Sequence, residues 1–213
     1  MYFDTLDFAY ELRTPNPLGM SSGLYTGSIN YQIGPGGDFN IGNMQPTDSN
    51  LTLDFVLDVQ HTLKVDLPPG GTQILLEPKG GWSSWLDQAR PPTRLLRDQT
   101  FLISASSRFK MQLECELDLS EGCGIIDRES GYAGLVTVSV SLPHGLTDSS
   151  GKPVNRLLLN REESVTFQPG VYVDRKPGTL HFEVPERDTA FFIRNSKGRP
   201  YKGNITVIWD SEV

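Results

Sequence analysis

Residues 51–67, LTLDFVLDVQHTLKVDL, place an apolar side chain at nearly every odd position: Leu51, Leu53, Phe55, Leu57, Val59, Leu63, Val65 and Leu67, with His61 breaking the series. The even positions are polar apart from Val56. A period of two predicts a strand with one buried face. At about 3.3 Å per residue the run would span roughly 56 Å, too far for one sheet of a compact domain. It therefore reads either as one strand that bends from one sheet into another or as two strands in line, with the irregularity at His61. A hairpin would need turn residues, and the run contains no Gly or Pro.

The same period recurs along the chain. FDTLDFAYEL (3–12) alternates imperfectly, and GLYTGSINYQI sets Tyr25, Ile29, Tyr31 and Ile33 on one side. FLISASSRFKMQLEC reads as a second long run, with Phe101, Ile103, Ala105, Phe109, Met111, Leu113 and Cys115 together. LVTVSVSL, TLHFEV and NITVIWD complete the set, separated by the turn signals GPGGDFNIGN, LPPGG, EPKGG, LPHGLTDSSGKP, QPG and KPG. Strands with this punctuation and little helical periodicity predict an all-β antiparallel sandwich over residues 1–213, as a single domain.

Two segments depart from the pattern. In GGWSSWLDQARPPTRLLRDQ the spacing of Trp82, Trp85, Leu86 and Ala89 predicts a short helix or helical turn, capped at Ser83 or Ser84 and stopped by Pro91 and Pro92. Its tryptophans would plug one end of the sandwich. The other reading is a sugar-stacking or partner surface built from Trp82 and Trp85 with Arg90, Arg94 and Arg97. VPERDTAFFIRNSKGRPYKG (184–203) reads as a long loop with one helical turn.

Charge and cysteine content narrow the function. A net charge of −7 argues against nucleic acid as partner. No window is long and apolar enough for a membrane-spanning helix. The first ten residues lack a basic n-region and a long apolar core, so they are not read as a signal peptide. Cys115 and Cys123, the two cysteines, flank an acidic turn-forming segment. Zinc needs about four ligands, and the three histidines stand singly at 61, 144 and 181. The pair is read as a structural disulfide across a hairpin or loop, which points to an oxidising compartment.

Candidate chemistry is sparse. GMSSG (19–23) has the form of a nucleophile elbow with Ser21, but the following residues have a strand pattern where that motif needs a helix. GPGGDF opens no helix and reads as a turn. The oxygen donors beginning at Asp38 fail the EF-hand spacing and also read as a polar turn. His61 is read as a satisfied structural histidine. No catalytic residue, metal ligand or cofactor site is assigned, and an enzyme is the least favoured class.

Four stretches, GLYTGSINYQIGPGGDFNIGN, LTLDFVLDVQHTLKVDLPPGG, PGTLHFEV and YKGNITVIWDSEV, give the chain a resemblance to the pilin-type domains of chaperone–usher fimbriae. More narrowly, it resembles the C-terminal, pilin-like half of a two-domain tip adhesin. The ending departs from that of typical subunits: Gly203 is eleventh from the end, the penultimate residue is Glu212, and the alternation of Ile205, Val207 and Trp209 is what remains. The resemblance implies an immunoglobulin-like sandwich lacking its last strand and no enzymatic activity. A periplasmic chaperone, then a neighbouring subunit, would supply the missing strand by β-augmentation. Ile205, Val207 and Trp209 would form the exchange edge. A host glycan would be bound through a domain outside this chain, and the protein would be secreted and displayed on a surface fimbria. The alternative is a carbohydrate-binding sandwich that uses the Trp82–Trp85 segment itself. Whether the covering strand comes from this chain or from another is open on the sequence.

Overall fold

The alternating run of residues 51–67 is divided between two sheets, and the break falls at residues 60–62. The computed structural model of the protein describes residues 9–16, 19–85, 91–119 and 122–212. They form two compact units that part between Gln60 and His61. Where one sandwich is expected for the whole length, the sandwich itself is built after this point and a separate hairpin before it.

In the first unit, β1 (Gly23–Gln32) pairs antiparallel with β2 (Asn50–Val59), from Gly23 opposite Val59 to Gln32 opposite Asn50. The odd residues of β2 are half-buried and the even ones exposed, as the alternation predicts. Of the FDTLDFAYEL run, residues 3–8 lie outside the described residues, and Ala9–Leu12 are exposed and not in a strand. GPGGDF is a turn: the Asp38 carboxylate accepts from the Gln32 N–H at 2.9 Å, and Gly36, at φ +76°, takes the left-handed conformation that glycine favours. After Ser21 the chain enters β1, so the strand–turn–helix context of a nucleophile elbow is missing.

The second unit begins with β3 (Leu63–Asp66), β4 (Leu95–Ala105), β5 (Phe109–Cys115), β6 (Leu117–Leu119), β7 (Gly122–Ile126) and β8 (Ala133–Ser141). It continues through β9 (Leu146–Asp148), β10 (Leu157–Leu159), β11 (Val165–Pro169) and β12 (Val173–Val184), and ends with helix α1 (Glu186–Asn195) and β13 (Ile205–Ser211). One sheet has the order β3-β4-β12-β8-β7-β6, with β10 also paired to β8; the other has the order β13-β5-β11-β9. Every strand pair is antiparallel. The sheets share one core, in which Phe101, Ile103 and Val138 of the first meet Phe109, Met111 and Phe167 of the second. This unit is an all-β antiparallel sandwich, the expected fold class.

Three local expectations are corrected. FLISASSRFKMQLEC is two strands, β4 and β5, because the turn at Ser106–Arg108 carries the chain from one sheet to the facing one. Parity survives the crossing since both strands turn the same side chains inward. The KPG read as a turn lies inside β12, where Gly178 pairs with Phe101 and a bulge between Val173 and Lys176 absorbs the irregularity. Residues 186–195, read as loop with one turn, form the ten-residue helix α1. Glu186 and Asp188 complement its N-terminal dipole, Arg194 its C-terminal one, and Phe192 packs over Gly134. Only Thr189 and Phe192 of this helix are buried, so its apolar periodicity is faint in the sequence.

The predicted disulfide joins Cys115 at the end of β5 to Cys123 in β7, with Cα atoms 5.2 Å apart. The predicted turn at Trp82 is a 3-10 turn over Trp82–Trp85; Leu86, Ala89 and Arg90 lie outside the described residues. No described helix is long and apolar enough to cross a membrane.

Candidate functional site

The cover over the sandwich core differs from edge to edge. Phe109, Met111 and Leu113 of β5 are 0%, 0% and 1% exposed. Their partners on β13, Ser211, Trp209 and Val207, are each half-buried, and so is Ile205. Inward-facing residues on the outermost strand thus retain contact with water although they pack on the core. Trp209 reaches across the sandwich, its ring 5.0 Å from Phe101 of β4 and stacked at 6.0 Å on Phe109. On the facing sheet β3 shows the same partial cover: Leu63 and Val65 are half-buried, while their β4 partners Ala105 and Ile103 are at 0%.

Two other stretches of the core boundary, at β9 and β10, carry a closely covered residue. Leu146 of β9 is 2% exposed, and the chain folds back on this strand through the Asp148–Lys152 turn and a bridge from Thr147 to Pro153. Leu159 of β10 is 1% exposed. The outer edge of β13 has no such device among the described residues: it is seven residues long, with no proline and no bulge, and no described strand pairs with it. A straight edge of unpaired N–H and C=O groups over half-covered apolar side chains is a template for another strand. The residues expected to form an exchange edge, Ile205, Val207 and Trp209, are the inward-facing set of this strand.

Polar contacts fix both ends of the edge. Before β13, Lys202 exchanges two backbone hydrogen bonds with Ile126 at 2.9 and 3.0 Å. Arg199 Nε donates to Asp127 Oδ2 at 2.7 Å. Asp127 is buried, and the Ser130 hydroxyl, followed by Arg199 and the Glu129 N–H, holds its carboxyl down at about 2 against the opposing effect of burial. At the far end the Glu212 carboxylate bonds Lys110 and pushes its ammonium pKa up, and the Glu212 N–H donates to the Arg108 carbonyl at 3.0 Å. The strand is pinned at its ends and along β5, which holds it extended.

The other residues singled out in the sequence do not join this edge. Trp82 is 42% exposed, and Trp85 is half-buried with its indole N–H donating to the Lys79 carbonyl at 3.2 Å. Arg94 pairs with Glu183 of β12 at 2.9 Å. His61 sits at the break between the units, with Nδ1 3.5 Å from the Ser106 hydroxyl, which also accepts from the Thr62 N–H at 2.7 Å. Sequence reasoning missed one cluster altogether. Asp98, His181 and Ser141, on three adjacent strands, form a hydrogen-bonded line that depends on strand register, for which no local motif exists.

No protein-family model matches the sequence, and no curated protein matches it. Among solved structures, the chain is similar to one from a study of a chaperone–tip adhesin complex in the biogenesis of CFA/I fimbriae, at 14% identity and a TM-score of 0.45. The match covers 90% of this chain and 53% of the other, so the chain spans about half the length of the protein it matches.

Proposed function

We propose that the protein is an assembly module of a bacterial surface fimbria that accepts an extended β-strand from a partner along the free edge of β13. The observation that carries this reading is the drop in cover from Met111 and Leu113 of β5, at most 1% exposed, to their half-buried β13 partners Trp209 and Val207, with Ile205 half-buried in line with them. A strand laid against β13 satisfies its outward backbone groups, and every second side chain of that strand closes the core. The occupant is therefore an extended segment of about seven residues with apolar side chains at alternate positions. In the assembly the resemblance implies, a periplasmic chaperone offers it first and a neighbouring subunit replaces it. The disulfide suits this oxidising route. The role is one of binding and assembly, with no catalytic turnover, and its location is the cell surface after passage through the periplasm.

The test is thermal unfolding and amide exchange of the full chain with synthetic alternating-apolar strand peptides, including the N-terminal extensions of candidate neighbouring subunits. A cognate peptide raises Tm and protects the amides of residues 205–211. A matched peptide with its apolar positions changed to serine does neither. If the whole panel leaves both Tm and exchange of β13 unchanged, this edge is not a strand acceptor.

A further inference from the structure

On the outer face of the six-strand path, three neighbouring strands carry a carboxylate, an imidazole and a hydroxyl in line. His181 of β12 lies opposite Asp98 of β4 on one side and Ser139 of β8 on the other. Leu180 and Phe182 turn into the core, so His181 turns outward, yet it is only 8% exposed. Its Nδ1 is 2.7 Å from Asp98 Oδ1 and its Nε2 is 2.8 Å from Ser141 Oγ. An ionised carboxylate only accepts, so Nδ1 carries a proton toward Asp98; in the neutral ring Nε2 is then the acceptor for the Ser141 hydroxyl, which otherwise donates to Asn155 Oδ1. This is the arrangement in which an imidazole acts as general base toward a serine.

The group facing that hydroxyl belongs to the same chain. Ser141 Oγ is 3.3 Å from Asn155 Oδ1, and the Arg156 N–H donates to the same Oγ at 3.0 Å. The contact is fixed from both sides. β10 pairs with β8 immediately beyond it, Leu157 opposite Val140, and Arg156 holds the left-handed φ of +49°, a strained value for a residue with a Cβ. A hydrogen-bonded clamp between a serine and an asparagine would need no base behind the hydroxyl. Here a buried histidine oriented by a carboxylate stands there, and a carboxamide stands in front.

We propose that Ser141 and Asn155 are the sites of an intramolecular ester cross-link, formed with His181 as general base and Asp98 as its positioning residue. His181 Nε2 takes the proton of Ser141 as Oγ bonds to the carboxamide carbon of Asn155. The tetrahedral adduct collapses with cleavage of the C–N bond, and the imidazolium returns the proton to the departing nitrogen. The products are a Ser141–Asn155 ester and ammonia, with no oxidant or cofactor required. Asp98 holds the ring and stabilises the imidazolium, and close fixed placement substitutes for a reactive substrate. The ester would fasten the β8–β9–β10 side of the sandwich, on a different surface from the β13 edge.

Intact mass spectrometry and peptide mapping of the purified full chain after incubation at neutral pH test this directly. The expected result is a loss of about 17 Da, the mass of ammonia, together with a branched peptide joining residues 141 and 155. Both disappear in Ser141→Ala and in Asn155→Ala, His181→Gln slows their appearance, and hydroxylamine cleaves the branch. Wild-type protein that stays at full mass with separate linear peptides overturns the proposal. So does a loss of the same mass that persists in Ser141→Ala, since Asn155 would then have cyclised on its own backbone.

Discussion

Both units contain a phenylalanine ring laid over a glycine of the neighbouring strand: Phe55 over Gly27 in the hairpin and Phe101 over Gly178 in the sandwich. A methyl group added to either glycine would come within 2.4 Å of the ring's far carbon. The surroundings differ. Phe55 is half-buried in a two-stranded sheet, whereas Phe101 is fully buried and is held by Trp209 from the facing sheet. Alternation along a strand decides which side a residue takes, but the number of layers stacked on that side decides how deeply it is buried. An isolated pair of strands gives half-burial, and two facing sheets close the core. The β13 edge lies between these cases, with a second layer beneath it, β5 on one side and no described strand on the other.

The largest expected effect sharpens this contrast through the disulfide, which belongs to the sandwich alone. Reducing Cys115–Cys123, or replacing both residues with alanine, removes the constraint on a short loop and lowers the stability of the sandwich by about 2–3 kcal/mol. Amide exchange resolved by peptide should rise throughout β5 and β7 and stay unchanged in β1 and β2. Equal loss in both units would show that the hairpin and the sandwich unfold as one. The next effect comes from the paired glycines. Gly178→Ala forces Phe101 against a packed core and costs about 1–3 kcal/mol, the range of overpacking. In Gly27→Ala the half-exposed Phe55 ring swings aside, and the loss stays below about 1 kcal/mol, offset by the lower entropy of the unfolded alanine chain. Denaturant unfolding of the two variants measures the difference, and equal penalties would mean that the two rings are equally confined.

Much of this architecture is legible in the sequence because alternation is local. The parity of residues 51–67 identifies the inward side of both β2 and β3, and His61 marks the break between them. Parity does not say which sheet a strand joins, which is why Phe101–Cys115 reads as one run although its chain crosses from one sheet to the other at Ser106–Arg108. Lys176–Gly178 looks like a turn because its residues favour one, and pairing with Phe101–Ile103 of β4 overrides that preference. The C-terminal residues Ile205, Val207 and Trp209 are identifiable as an alternating set, but their incomplete cover is a property of sheet order. The line Asp98–His181–Ser141 lies further from local pattern still, since its three residues come from strands distant in sequence and meet only through register.

The smallest effect concerns the link that leads into β13. Asp127 is buried in the turn after β7, where it accepts from Ser130, from the Glu129 N–H and from Arg199 of the segment before β13. These bonds favour the ionised carboxylate, so its folded pKa falls from 3.8 to about 2. A carboxyl with a depressed folded pKa binds protons more readily when unfolded, and its contribution is complete above the unfolded value. That contribution should be lost as pH falls through the window from about 4 to about 2. The expected outcome is a decline in the denaturation midpoint of the sandwich across that window, with early exchange at residues 199–205 and no matching change along β1 and β2. Asp127→Asn keeps the shape and removes the charge, so it should lower the midpoint at neutral pH and flatten the acid slope. If the slope in Asp127→Asn equals that of the wild type, acid weakens the sandwich through other carboxylates, and the Asp127–Arg199 contact does not hold the approach to the free edge.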